Sequence, residues 1–188
     1  METIRSFVAI ELPAELKDRI RSYQQELKSF TRHVRWVNPD SLHITLKFLG
    51  ERDKELIERV RQNLLTVQDG FAPFKATVNR FGAFPGKRNP RVFWLGVKSD
   101  PLESMIELFH FLENNLHGLG FQKETRRFAP HLTLARVKRP ERFDDLWDFV
   151  QRNAFEPFTF NVNEIVLMQS FLKPQGAVYK PIEKYRLT

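Results

Sequence analysis

The chain carries a near-copy of itself. An internal duplication at long period constrains the architecture more than any single motif, because it fixes the order of elements twice. SFVAIELP (6–13) reads as a strand. It leads into AELKDRIRSYQQELKSF (14–30), where Leu16, Ile20, Tyr23 and Leu27 recur at the three- and four-residue steps of one helix face. SLHITLKFLG (41–50) reads as a second strand. A helix follows from about Asp53 to Val67 with Leu56, Ile57, Val60 and Leu64 inward, and PFKATVNRFGAF (73–84) closes the half as a strand. The same order then returns. RVFWLGVKS (91–99) is a strand and PLESMIELFHFLENNLHGLGF (101–121) a helix that starts at Pro101 and stops at Gly118 or Gly120. APHLTLARVK (129–138) is a strand, PERFDDLWDFVQRN (140–153) a helix and PFTFNVNEIVLMQSF (157–171) a strand. Landmarks keep step: Phe7 and Phe93 are 86 residues apart, His43 and His131 are 88, and Pro73-Phe74 and Pro157-Phe158 are 84.

Two strand–helix–strand–helix–strand units in series predict an α+β fold. It would be bilobal, with two pseudo-two-fold-related βαβαβ units, antiparallel-type sheets lining a central groove and helices outside. No Gly/Ser linker divides the chain, so residues 1–188 are expected to form one domain. Its halves run from 1–86 and 91–188, and strands exchanged between the lobes are one way to close it.

Composition narrows the class. A chain of 188 residues with 41% hydrophobic content can bury a full core. The absence of Cys removes disulfide scaffolds, Cys-zinc sites, iron–sulfur clusters and thiol nucleophiles together. The apolar run near the N-terminus ends at Glu11 and Pro13, too short for a signal-peptide core or a membrane span, so a soluble cytoplasmic protein without a membrane partner is expected. The net charge of +7 favours encounter with polyanions, nucleic acid among them.

The chemistry lies at the centre of each repeat, in Leu42-His43-Ile44-Thr45-Leu46 and Pro130-His131-Leu132-Thr133-Leu134. Side chains alternate along a strand, so the aliphatic residues face a core while His43 and Thr45, and likewise His131 and Thr133, stand about 7 Å apart on the other face. With 5 His and 9 Thr, chance supplies about a quarter of one His-x-Thr match. Pseudo-symmetry can bring the two polar faces together across one groove. An imidazole titrates near neutrality, so one can accept a proton from water while the other donates to a leaving oxygen. Threonine hydroxyls can hold phosphoryl oxygens as charge grows on them.

Other chemistries fit less well. A zinc site would need a third ligand, yet neither motif contains Asp or Glu, and His33, His110 and His117 show no HExxH spacing. A serine hydrolase would need a G-x-S-x-G elbow, which is lacking. A non-catalytic RNA-binding module would bind by stacking and charge, but would not require paired His-x-Thr motifs.

At these residues the sequence resembles the two-histidine (2H) phosphoesterase superfamily, and within it the bacterial and archaeal RNA 2′,3′-cyclic phosphodiesterases, also called 2′-5′ RNA ligases. The likeness spans RSFVAIELP (5–13), LHITLKFLG (42–50), FAPHLTLAR (128–136) and SFLKPQGAVY (170–179). It implies a bilobal α+β fold that hydrolyses RNA 2′,3′-cyclic phosphate ends to 2′-phosphates, and that also joins RNA ends through a 2′-5′ linkage. It implies no metal, ATP or other cofactor. By motif match His43 and His131 are the acid–base pair, with Thr45, Thr133 and Arg136 holding the phosphate. The motif does not fix the direction, and His43 is assigned as the proton donor and His131 as the proton acceptor. The expected partner is RNA with a cyclic phosphate end, tRNA fragments included, and the expected state a monomer. A small cyclic nucleotide-derived phosphate is the alternative substrate.

Further residues are candidates for RNA or base contacts. Lys47 shares the alternating face of His43 and Thr45. Phe48 and Trp36 could stack a base, although core packing is the expectation for both. Arg127 precedes the second signature, Lys173 and Tyr179 are placed to edge the groove, and the turn Gly86 to Arg91 is basic.

Overall fold

The computed structural model describes residues 2–174 and 176–188. Its elements follow the duplicated order. Strand β1 (Thr3–Glu11) leads to helix α1 (Ala14–Lys28), a short strand β2 (Val34–Trp36) and strand β3 (His43–Asp53). Helix α2 (Lys54–Leu64) and strand β4 (Phe74–Phe84) complete the first half. The second half runs β5 (Val92–Asp100), α3 (Ser104–His117), β6 (His131–Val137), α4 (Asp144–Arg152), β7 (Phe158–Val162), β8 (Glu164–Lys173) and β9 (Gly176–Arg186). Gln175, inside the C-terminal stretch of the resemblance, lies outside the described residues.

Local chemistry accounts for the helix limits. Asp53 caps α2 by accepting from the Leu56 amide at 2.8 Å. Helix α3 ends where Gly120 takes φ +94°, a conformation that only glycine adopts readily, and the Gly120 and Phe121 amides close back on His117 and Leu116 carbonyls. Leu16, Ile20, Tyr23 and Leu27 on α1 are all buried, as their spacing requires.

All recorded strand pairings are antiparallel, and they form two sheets with orders β3-β1-β8-β9 and β2-β6-β5-β4-β7. The stretch read as one strand over 157–171 is broken at Asn163: β7 pairs with β4 in the second sheet, and β8 then pairs with β1 in the first. Strands thus cross between the halves: β4 joins the second sheet beside β5, and β8, followed by β9, joins the first sheet beside β1. β2 has no counterpart in the sequence reading, because three residues are too few to show a period.

The helix-facing sides of both sheets share one core, to which Val8, Ile10, Ile44, Leu95, Leu132 and Ile165 belong. On the opposite side of the first sheet Phe7, Ala9, Val166 and Met168 form a small apolar floor, with Tyr179 packed on it. At about 1.5–3 kcal/mol per buried aliphatic or aromatic side chain, the shared core holds each sheet rigidly behind the groove.

Candidate active site

Strands β3 and β6 sit in different sheets yet carry the same departure from regular pleating. In β3 the register with β1 passes from Thr45–Ala9 to Lys47–Val8, leaving Leu46 as an extra residue. In β6 the register with β5 passes from Thr133–Trp94 to Ala135–Phe93, leaving Leu134 extra. Before each bulge, alternation holds: Ile44 and Leu132 are fully buried while the histidines and threonines face the groove. After it the faces exchange. Phe48 and Arg136, five residues past each histidine, therefore turn into the groove instead of the core.

Two buried polar side chains brace these bulges. Gln24 of α1, 1% exposed, donates to the carbonyls of Val37 (3.1 Å) and Leu134 (3.2 Å). Lys47 is turned inward by its bulge and donates to Glu113 Oε2 at 2.8 Å and to the Gln122 carbonyl at 2.6 Å. The same Glu113 oxygen accepts from the Glu124 amide at 2.8 Å, so this pair ties β3 to the loop that leads into β6.

The two imidazoles are held identically. His43 Nδ1 lies 2.9 Å from the Ser41 carbonyl and His131 Nδ1 lies 2.7 Å from the Ala129 carbonyl. A carbonyl only accepts, so each Nδ1 carries the proton and each Nε2 is left for chemistry. Both histidines, both threonines, Arg5, Arg136, Phe48 and Tyr179 line one groove of about 480 Å³.

The surroundings of the rings differ. His43 packs against Phe7 at 4.6 Å and meets Tyr179 edge-on at 5.0 Å. Burial lowers its pKa below the ordinary 6.5, against the pull of the Ser41 carbonyl and with help from the positive charge of Lys17. Burial likewise raises the Tyr179 hydroxyl, while Arg136 and Arg5 act in the opposite direction. Among the described residues, the one ring His131 meets is Phe84, edge-on at 5.1 Å. The Phe48, Phe7, Tyr179 and Leu172 side of the groove is the apolar one.

The duplication and the groove have a counterpart among known sequences. The profile described as LigT like Phosphoesterase matches this chain twice in succession, at residues 10–94 and 95–179, once for each half. The chain belongs to the LigT-like phosphoesterases. It is 34% identical over 185 residues to a protein of Methanothermobacter thermautotrophicus named RNA 2′,3′-cyclic phosphodiesterase, covering 98% of this chain and 99% of the relative. A protein of the same name from Thermotoga maritima is 34% identical over 180 residues, covering 94% of this chain and 92% of the relative. Among solved structures, E. coli LigT complexed with 3′-AMP superposes with a TM-score of 0.80 at 26% identity, covering 100% of this chain and 99% of that one.

The LigT-like groove gathers His43, His131, Thr45, Thr133, Arg136, Phe48 and Tyr179 from the sequence candidates. Lys47 is a correction: alternation placed it beside His43 and Thr45, but the bulge at Leu46 buries it in the pair with Glu113, both side chains under a tenth exposed. Phe48 is a second correction, since core packing was expected and it is 71% exposed in the groove. Trp36 does pack on the core, its Nε1 donating to Thr31 at 3.3 Å. Arg127 and Lys173 are exposed and lie outside the groove lining. In the basic turn, Lys87 lies 5.0 Å from the Trp147 ring on the helix side of the second sheet. The landmark pairing of Phe7 with Phe93 is off by one, since Phe7 opposes Phe48 as Val92 opposes Arg136.

Arg5, Ser6, Ser41 and Phe84 were missed as site residues. Arg5 was visible as a cation two positions before Phe7 on a strand, hence on its face. Phe84 had no such signal, because its place beside His131 depends on β4 joining the second sheet. Among the described residues no three His, Cys, Asp or Glu side chains converge as a metal-holding group, and no helix is long and apolar enough to cross a membrane.

Proposed function

We propose that this chain opens RNA 2′,3′-cyclic phosphate ends to 2′-phosphates by two-histidine acid–base catalysis, without a metal, ATP or another cofactor. The observation that carries the reading is the pair of matched Nδ1 anchors on His43 and His131, which leave both Nε2 atoms to one groove that also holds Thr45 and Thr133. The names of the relatives from Methanothermobacter thermautotrophicus and Thermotoga maritima support the substrate.

The unequal walls orient the reaction. The nucleoside and its 3′-oxygen belong on the apolar side, against Phe48, Phe7 and Tyr179, next to His43. His43 is therefore the donor to the leaving 3′-oxygen, and His131, on the less enclosed side, takes a proton from the attacking water. Thr45 and Thr133 donate to the phosphoryl oxygens and Arg136 balances their charge as it grows. Acid and base on opposite sides of phosphorus suit an in-line displacement. A 5′-hydroxyl entering in place of water would yield a 2′-5′ link. The enzyme acts as a cytoplasmic monomer on RNA ends, tRNA fragments among them.

The test offers a short RNA with a 2′,3′-cyclic end in EDTA, without nucleotide, and identifies the hydroxyl that keeps the phosphate. A 2′-phosphate product is expected, and His43→Ala and His131→Ala should each lower kcat/KM by about 10²–10⁴ with the fold retained. Full activity in the double variant would exclude the reading.

A further inference from the structure

The groove face of the second sheet continues past His131 as a run of rings that hydrolysis with water leaves unused. Phe84 is 5.1 Å from His131, and Trp94 lies 5.0 Å beyond it at an interplanar angle of 33°. Strand register places them on one face: Trp94 opposes Thr133 on β6 and Gly82 on β4, and Phe84 opposes Val92. The indole lies flat on the sheet because two glycines make room for it. A Cβ on Gly82 would fall 2.3 Å from Trp94 Cη2, and one on Gly96 would fall 3.3 Å from Trp94 Cζ3. Glycines inside adjacent strands weaken a sheet, and here they form the bed of one planar ring. The exposed Arg80 holds its guanidinium carbon over the indole, 5.6 Å from its centroid. Trp94 Nε1 is buried and finds no hydrogen-bond partner among the described residues.

We infer that Phe84, Trp94 and Arg80 form a subsite for a nucleoside of a second RNA strand, one that presents a 5′-hydroxyl on the His131 side of phosphorus. A flat aromatic with a guanidinium over it offers stacking planes to any base, and the same cation meets the backbone phosphate that follows. The shelf adjoins the base-side histidine and not the apolar wall that takes the reacting nucleoside. A strand seated there delivers an alcohol where water would attack. The bond from O5′ to phosphorus forms, the bond from phosphorus to O3′ breaks, His131 takes the proton of the 5′-hydroxyl, and His43 protonates O3′. This inference rests on the roles proposed for the two histidines.

The experiment uses the full chain and its Trp94→Leu and Arg80→Ala variants. Each is given a nucleoside 2′,3′-cyclic phosphate with and without a 5′-hydroxyl trinucleotide labelled at its 3′ end. Three quantities are read: hydrolysis, anisotropy of the trinucleotide, and the fraction of product that is 2′-5′ linked. Hydrolysis should be unchanged in both variants, which also shows that they fold. Trinucleotide binding should weaken about tenfold in Trp94→Leu, and the linked product should fall in parallel. Arg80→Ala should weaken binding less and flatten its salt dependence. The inference is overturned if binding and linkage survive Trp94→Leu, if the wild type makes no linked product, or if Trp94→Leu also loses hydrolysis. It is overturned too if Trp94→Leu raises KM only for longer RNAs that carry the cyclic end. Absence of hydrolysis in the wild type would instead remove the proposed function, a separate result that trinucleotide binding does not depend on.

Discussion

Phe48 and Arg136 occupy the same position in the two lobes. Each stands five residues after its histidine, and each is turned into the groove by a one-residue bulge, at Leu46 and at Leu134. One lobe thus supplies an apolar surface where the other supplies a cation. An otherwise symmetric site acquires an apolar side and a charged side.

That difference is measurable. If Arg136 balances the phosphoryl oxygens as proposed, Arg136→Met should lower kcat/KM for a 2′,3′-cyclic phosphate by about 10². Phe48→Ala should act mainly on KM if the exposed ring binds the nucleoside as proposed and stays clear of the reacting atoms. Steady-state kinetics of the two variants on one substrate would settle the contrast, and equal effects on kcat would refute it.

Burial of His43 sets the pH dependence. Its pKa is lowered below 6.5, so if His43 is the donor proposed above, the protonated form becomes scarce as pH rises past that lowered value. The descending limb of kcat/KM should therefore lie below pH 6.5. That of kcat should lie higher, since bound phosphate favours the imidazolium. Folding stability follows with the matching sign. Below pH 6.5 the unfolded chain takes up a proton that folded His43 resists, so stability is lost as pH falls through this window. His43→Asn should flatten that loss in urea titrations run at several pH values.

Lys47 and Glu113 form a buried ion pair, with side chains 7% and 5% exposed. Lys47→Ala leaves the carboxylate without its cation and should cost about 3–5 kcal/mol in urea unfolding. Replacing both residues with apolar ones should cost far less. A single variant as stable as the wild type would show that the pair does not brace β3.

Gln24 tests whether the second bulge positions Arg136. Gln24→Leu withdraws donors from the Val37 and Leu134 carbonyls and should destabilise by about 1–3 kcal/mol. If the bulge positions Arg136, kcat/KM should fall as well, while Phe48 on the other lobe keeps its effect on KM. Lost stability with unchanged kinetics would limit Gln24 to a structural part.

The duplicated order, the α+β class, the helix faces and the two His-x-Thr strands were legible in the sequence because each depends on local periodicity. Leu16, Ile20, Tyr23 and Leu27 name a buried face from spacing alone, and His43 and Thr45 name the opposite face of an apolar strand. What failed was alternation carried past the bulge. A strand period of two put Lys47 in the groove and Phe48 in the core, and one extra residue reversed both. The signal existed in outline, since Leu46-Lys47 and Leu134-Ala135 stand at the same offset after their histidines. Phe84 and Trp94 were illegible for another reason. Their place beside His131 depends on which sheet β4 joins, and no local pattern encodes pairing between distant strands.

The crossing of β4 and β8 between the sheets has a consequence for how such a molecule can be cut or grown. Severed near Pro90, either segment would lack an inner neighbour for its own first strand, and would find it only by docking with the other piece or with a second copy of itself. A ribosome releasing the chain would hold the N-terminal lobe unfinished until β8 had emerged. An ancestral unit of half this length would have been obliged to work as an intertwined pair, each copy lending the strand that the other needed.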